Sequence, residues 1–451
     1  MLGKAKVSEL LKKVLKASKA DETEAILMAE DSYLTRFANS YIHQNVSEHN
    51  QNLLVRAVVG KKIGCASTNR IDEASVKEAV KRAVEIAKRQ RENPEFKGLP
   101  RGGKAKSLDN YIPATAKFTP EDRAQAVRTI TERTKKSALR AYGAFTTGVS
   151  EVAVANSHGG LNYNLATDAY CNTVVMADTG SGYAQAANRD ARKVNTLKMA
   201  EVACQKALDS RNPVDLPAGE YEVILEPPAV ADMMGYLAWM GFSATAYQEG
   251  RSFMCGKLGQ KVMGKNITLV DDPFFAKGYP FPFDFEGVPK KKLVLIEKGV
   301  GKNIVYDSFT AGKEGRESTG HALAAPMNYP LPLHQRLLPG KSTVQEMVAS
   351  VKRGLLVTRF HYSNVVEPMR VVITGMTRDG TFLIEDGKVT KPVKNFRFTQ
   401  SVIDALSCVS LIGKDAVLVG EETMYGARFA AGIVAPALKI DKFNFTGATQ
   451  F

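Results

Sequence analysis

The sequence predicts an α+β protein, with an N-terminal α+β region followed by a β-rich C-terminal domain. Two patterns carry that expectation. Up to Pro217, amphipathic helical stretches alternate with strand-like runs. Beyond Glu220, after one helical stretch, short strand-like runs separated by turns dominate. The 451 residues suffice for two or three domains. Composition shifts divide them into an α+β domain over 1–92, a linker over 93–116, a central α+β region over 117–217 and a β-rich domain over 218–451.

Taken in order, Val7 to Lys19 places Leu10, Leu11, Val14 and Leu15 on one helical face with lysines opposite. Ala25 to Ala29, Leu34 to Gln44 and Leu53 to Val59 read as strands. Ser75 to Gln90 is a second amphipathic helix. Asn93 to Ala116 carries three prolines, two adjacent glycines and no periodicity, the signature of a linker or surface loop. Thr119-Pro120-Glu121-Asp122 opens a helix, because Thr119 can cap it, Pro120 suits the first helical position and the acids meet the positive end. That helix is expected to run to about Tyr142. Ala144–Asn156 and Leu165–Met176 form a strand pair, and Val194 to Leu208 a further helix. Beyond Glu220, strands are expected at Ile267–Val270, Lys292–Glu297, Val371–Met376, Thr381–Ile384 and Val417–Val419, with turns at Asp379-Gly380 and Asp386-Gly387.

Composition narrows the function. Apolar residues make up 44% and charged residues 24%, which excludes a disordered or fibrous chain. The net charge of +14 favours acidic partners without identifying one. Five scattered cysteines with no CxxC pair fit a reducing compartment and encode neither a zinc ribbon nor a redox pair. The N-terminus has no signal-peptide pattern. The uncharged run Met233–Gln248 is shorter than the roughly 20 residues of a membrane span and reads as a buried helix. A soluble, cytoplasmic protein is expected.

Familiar chemical motifs fail on inspection. Gly340-Lys341-Ser342 ends like a phosphate-binding loop, but Gln335 stands where the pattern needs glycine. Gly299-Val300-Gly301 meets Ile304 where a dinucleotide site needs a third glycine. No histidine has another three to five residues away, so no HExxH-type zinc helix exists. His43 and His49 lack a third ligand nearby. Arg101-Gly102-Gly103-Lys104 has no interleaved aromatics and reads as a solvated loop. His321, in Ser318-Thr319-Gly320-His321, is weighed as a structural loop histidine ahead of a catalytic one.

Seven segments read together: Thr35 to Ser40, Gly256 to Val262, Val270-Asp271-Asp272-Pro273, Phe285-Glu286-Gly287-Val288, Ser318 to Ala322, Phe382 to Lys388 and Ala435 to Ile440. In this order they resemble one family, the TldD/PmbA (TldE) proteins. The resemblance implies an N-terminal α+β part, a β-rich C-terminal part and membership of a heterodimeric zinc peptidase acting on unfolded peptides. In that family the TldD type carries an HExxxH helix and a later cysteine as zinc ligands, and the TldE type lacks them. Aligned on Gly235, Ala231 stands at the first histidine, Asp232 at the glutamate and Tyr236 at the second histidine. The cysteine position falls near Glu422, and no cysteine follows Cys408. The surrounding helix reads as core through Val230, Met233, Met234, Leu237, Ala238, Trp239 and Met240.

The expectation is therefore a TldE/PmbA-type subunit without catalytic or metal residues of its own, zinc belonging to a TldD-type partner. Ser318, Thr319, His321 and Asp232 are its candidate contacts to peptide or partner. The isolated chain is left open as monomer or homodimer, and neither nucleic acid nor membrane is expected as a partner. Two alternatives stand beside it. One is a stand-alone hydrolase using His321 with Ser318 or Thr319, or His361 near Glu367. The other is a homodimeric binding or scaffold protein, which the charge favours and the missing aromatic-basic patches oppose.

Overall fold

The computed structural model describes residues 1–327, 329–420, 428, 430–448. Helix α1 (Lys4–Ala17) leads into a long antiparallel hairpin, β1 (Glu22–Ala38) and β2 (Tyr41–Val59). Strand β3 (Lys62–Thr68), helices α2 (Glu73–Arg89), α3 (Pro113–Ala116) and α4 (Pro120–Lys135), strands β4 (Arg140–Asn156), β5 (Leu161–Met176) and β6 (Ser181–Asn188), and helix α5 (Thr196–Asp209) complete the first half. The strands form one six-stranded sheet in the order β3-β2-β1-β4-β5-β6. Strand β1 pairs β4 from Glu24↔Asn156 to Phe37↔Gly143, so the strands on either side of 93–116 share a sheet. The connection itself is packed, with Phe96, Leu99 and Asn110 buried.

Both faces of this sheet are covered. Ala25, Leu27, Val55 and Ala57 pack against Val7, Leu11 and Val14 of α1 and Val76, Val80 and Ala83 of α2. On the opposite face Ile26, Leu54, Val152 and Val154 meet Phe281, Phe283 and Phe285 of the second half. Two-sided burial explains why Ala25–Ala29 is continuously apolar rather than alternating.

The second half begins with β7 (Gly219–Leu225), α6 (Pro227–Gly241) and α7 (Ala244–Gln248). Strands β8 (Leu269–Asp271), β9 (Leu293–Glu297), β10 (Val300–Gly301), β11 (Gln335–Leu337), β12 (Arg353–Glu367), β13 (Val372–Glu385), β14 (Lys388–Pro392) and β15 (Phe396–Ser401) follow. The last are β16 (Val409–Ile412), β17 (Val417–Gly420), β18 (Gly432–Ala435) and β19 (Leu438–Ala448). One sheet runs β10-β9-β8-β11-β18-β17. The other runs β12-β7-β19-β15-β13-β14, and a further β12–β13 pairing closes it into a barrel. Phe360, Phe396, Phe398, Phe443 and Phe445 fill the barrel interior. The fold is α+β with a β-rich C-terminal region.

The structure departs from the sequence reading at identifiable points. The expected strand Leu34–Gln44 is split by a tight turn at Asn39 and Ser40, whose φ values of 50° and 62° are those a two-residue hairpin demands. Helix α4 stops at Lys135, not Tyr142, since Arg140 onward pairs with β5. Asp379-Gly380, read as a turn, lies inside β13, where Asp379 accepts from Arg359 Nε and Ser181 Oγ at 2.7 Å each. Strands β3, β6, β7, β10, β11, β12, β14, β15, β16, β18 and β19 have no counterpart in the sequence reading.

One buried ion cluster spans the two halves. Arg56 Nη2 on β2 donates to Glu24 Oε2 on β1 at 2.9 Å and to Glu286 Oε1 of the second half at 3.0 Å. Glu286 also accepts from the backbone N–H and hydroxyl of Ser308 at 2.9 and 2.7 Å. Burial pushes Glu24 up to about 7 against the pull of Arg56. Removing one member strands the others, so Arg56→Met should cost about 3–5 kcal/mol. The check is the midpoint of chemical unfolding compared with that of the unsubstituted chain.

Candidate functional site

Helix α6 carries the positions singled out by the resemblance. It follows β7 directly, and Pro227 and Pro228 open it where their missing N–H groups cost nothing. Its buried side holds Val230, Met233, Met234 and Leu237 in the main core. The other stripe, Pro228, Ala231, Asp232, Gly235, Tyr236 and Trp239, lines a cavity of about 670 Å³ together with Val419 of β17 and Ile433 of β18. Ala231 and Tyr236 stand about 140° apart, at the margins of this stripe, from roughly 100° per residue. Trp239, expected in the core, is 52% exposed at the cavity rim. The helix is therefore packed on one side only. Glu422 lies outside the described residues.

The polar groups of the stripe are tied to β12. A bulge in β12 between His361 and Asn364 brings Ser363 over the helix. Tyr236 donates its hydroxyl to the Ser363 carbonyl at 2.5 Å, and Ser363 Oγ donates to Asp232 Oδ2 at 2.6 Å. Burial, then the neighbouring Asp232, pushes the Tyr236 phenol up. These residues do not fit a zinc ion. Ala231 has no donor atom, the Tyr236 phenol resists the deprotonation that ligation requires, and Asp232 alone supplies a carboxylate. Among the described residues no group of three His, Cys, Asp or Glu side chains is placed to hold a metal.

Ser318, Thr319 and His321 belong to a separate, buried network. His321 Nε2 lies 3.1 Å from Asp271 Oδ2, and its Nδ1 lies 2.9 Å from Thr319 Oγ1. Ser318 donates to the Tyr306 carbonyl at 3.2 Å. Asp271 also accepts from the His334 backbone N–H at 2.7 Å. Burial, then Lys290, pushes His321 down, against the pull of Asp271. Asp284 accepts three backbone N–H groups, from Glu286, Val288 and Ala322, yet burial and Glu286 push it up to about 7. The His321 side chain is 0% exposed, which keeps a substrate away. His361 and Glu367 lie on β12 without a hydrogen bond or ion pair joining them among the described contacts, and Glu367 faces Arg370 at 3.9 Å.

Sequence reasoning missed Ser363, Asp284, Lys290 and His334. Asp271 and Glu286 fell inside the segments carrying the resemblance, but nothing in their spacing signalled a shared network. Ser363 had no signal at all, because a bulge is created by pairing.

A fold of two α+β halves, with a helix-lined cavity beside a C-terminal barrel, is the class defined so far. The model for the PmbA/TldA metallopeptidase C-terminal domain matches residues 218–447, and that for domain 1 matches residues 24–87. The chain belongs to the PmbA/TldD family. A Metalloprotease TldD homolog of Haemophilus influenzae is 27% identical over 261 residues, 56% of this chain and 54% of that protein. The Metalloprotease PmbA homolog of the same organism is 23% identical over 451 residues, 96% of this chain and 94% of the relative. The crystal structure of TldE from Thermococcus kodakarensis shares the fold with a TM-score of 0.87 at 24% identity, covering 98% of this chain and 100% of the other. The chain spans about half the length of the first curated relatives it matches. No helix among the described residues is long and apolar enough to cross a membrane.

Two outcomes are expected. Ala231→His, Asp232→Glu and Tyr236→His together should lower the melting temperature and leave zinc binding weak. Breaking the Ser363 bonds and adding poorly partnered imidazoles costs about 1–3 kcal/mol each. Thermal melts and zinc titration measure this, and tight zinc binding at an unchanged melting temperature would mean a preformed site. Separately, burial and then Lys290 hold His334 down to about 3. The unfolded chain binds that proton near 6.5, so this contribution is complete above pH 6.5 and is lost as pH falls toward 3. At pH 5 the loss is about 2 kcal/mol. The raised carboxylates Glu24 and Asp284 act in the opposite sense between about 4.5 and 7. Comparison with His334→Asn isolates the histidine: its unfolding midpoint should change less unfavourably between neutral pH and pH 5.

Proposed function

We propose that this chain is the non-catalytic subunit of a heterodimeric metallopeptidase acting on unfolded peptides. It supports a TldD-type partner that holds the zinc, and it helps wall a peptide chamber. The observation that carries this reading is the cavity stripe of α6: Ala231, Asp232 and Tyr236 stand where the family resemblance puts the catalytic helix, and their polar atoms are engaged with Ser363. The cavity keeps the place of a site without a zinc donor set. Enclosure has a physical purpose in such a complex, because a walled chamber admits an extended chain and excludes folded surfaces. A cytoplasmic setting fits the scattered cysteines.

The stand-alone hydrolase is disfavoured by the burial of His321. Two measurements test the main reading. The purified, dialysed chain should contain no stoichiometric zinc by elemental analysis. Alone it should leave unfolded peptides intact, whereas a mixture with a TldD-type partner should cleave them and a chelator should stop the cleavage. Cleavage by this chain alone in the presence of chelator would overturn the proposal.

A further inference from the structure

At about 670 Å³ the cavity beside α6 has room for a side chain of a bound peptide. Of the side chains that line it among the described residues, Asp232 alone is charged. Val419 and Ile433 give it apolar surface, and Tyr236 and Trp239 give it aromatic rings. Asp232 and Trp239 stand two turns apart on α6, about 10 Å along the helix axis.

Two features hold this space open against local preference. Gly235 lies inside the helix, where glycine is weaker than alanine. No crowding requires it: a Cβ there would meet one atom within 4 Å, Ile433 Cδ1 at 3.9 Å. The missing side chain leaves room on the cavity side of α6. Tyr362, the residue before Ser363, has a φ of 56°, a conformation that an aromatic residue rarely adopts. It lies in the β12 bulge that brings Ser363 over the helix. Ser363 Oγ donates to Asp232 Oδ2 at 2.6 Å, and the Ser363 carbonyl accepts from Tyr236. A neutral hydroxyl thus orients the Asp232 carboxylate without cancelling its charge.

We infer that this cavity takes the side chain of an arginine or lysine from an extended peptide. The cationic head meets Asp232 through charge-assisted hydrogen bonds. The methylene stem lies along Gly235, Val419 and Ile433, and Tyr236 and Trp239 offer their rings to the cation. An acidic side chain would meet Asp232 as a like charge. An apolar one would take water from the carboxylate and return no hydrogen bond. The net charge of +14 opposes cationic peptides over the surface as a whole, so a preference for them has to arise locally. The inference rests on the reading that this chain walls a peptide chamber, and it narrows the substrate to peptides carrying a basic residue.

Trp239 is the one tryptophan of the chain, so its emission reports on the cavity directly. The purified chain is titrated with an unstructured glycine- and serine-rich peptide that carries arginine, citrulline, leucine or glutamate at one central position. Citrulline has the shape of arginine without its charge. The arginine peptide should change the emission saturably, and the other three should bind at least about tenfold more weakly. Asp232→Asn keeps an acceptor for Ser363 and should bring the arginine and citrulline peptides to equal affinity. Gly235→Leu should fill the cavity and abolish the response to arginine. Absence of a saturable response to the arginine peptide, equally tight binding of any of the other three, or an Asp232→Asn chain that still prefers arginine would overturn the inference. Zinc content and partner-dependent cleavage are separate readouts, so such a failure leaves the subunit reading standing.

Discussion

Arg56 sets the spacing between the two halves of the molecule. Its guanidinium leaves the N-terminal sheet and ends between a carboxylate of that sheet, Glu24, and one of the C-terminal half, Glu286. The apolar contacts around it, Ile26 and Leu54 against Phe283 and Phe285, supply most of the driving force but little direction. A buried cation tolerates no such looseness, because a shift of an ångström or two leaves charges without partners. Docking in one register follows. So does the two-sided burial of β1 and β2, and with it the continuous apolar run that marks these strands in the sequence.

The same economy of polar groups governs α6. A proline-started helix that buries one face in the barrel region must still satisfy what it shows on the other. Asp232 and Tyr236 do so through one residue, Ser363, and they find it because β12 bulges there. The cavity beside them is retained as a space, and its chemistry is that of a hydrogen-bonded wall. The buried pair of Asp271 and His321 follows the same rule, since the Asp271 carboxylate and both His321 ring nitrogens have hydrogen-bond partners; His334 adds only its backbone N–H, and burial opposes charge on both histidines.

Much of the first half was legible in the sequence. Helices α1, α2, α4 and α5 follow from apolar spacing and from the Thr119 capping box. The β4–β5 hairpin follows from its turn at Asn156 to Gly160. The second half was harder, because β7, β12 and β19 are barrel strands whose partners are far away in the chain. Asp379-Gly380 shows the limit of turn chemistry: the same dipeptide that closes a hairpin elsewhere bends a strand here, its carboxylate taken by Arg359 and Ser181.

The sequence by itself determined the α+β class, the family and the identity of the residues at the motif positions of α6. Those depend on local periodicity and on residue type, both of which are written in order along the chain. Tertiary structure alone decided what those residues do. It turned one stripe of α6 toward a cavity, exposed Trp239, brought Ser363 to Asp232 and Tyr236, and buried His321 against Asp271. Each of these is a meeting, or a failure to meet, between segments far apart in sequence. Spacing along a chain carries no record of which distant segment a side chain will face.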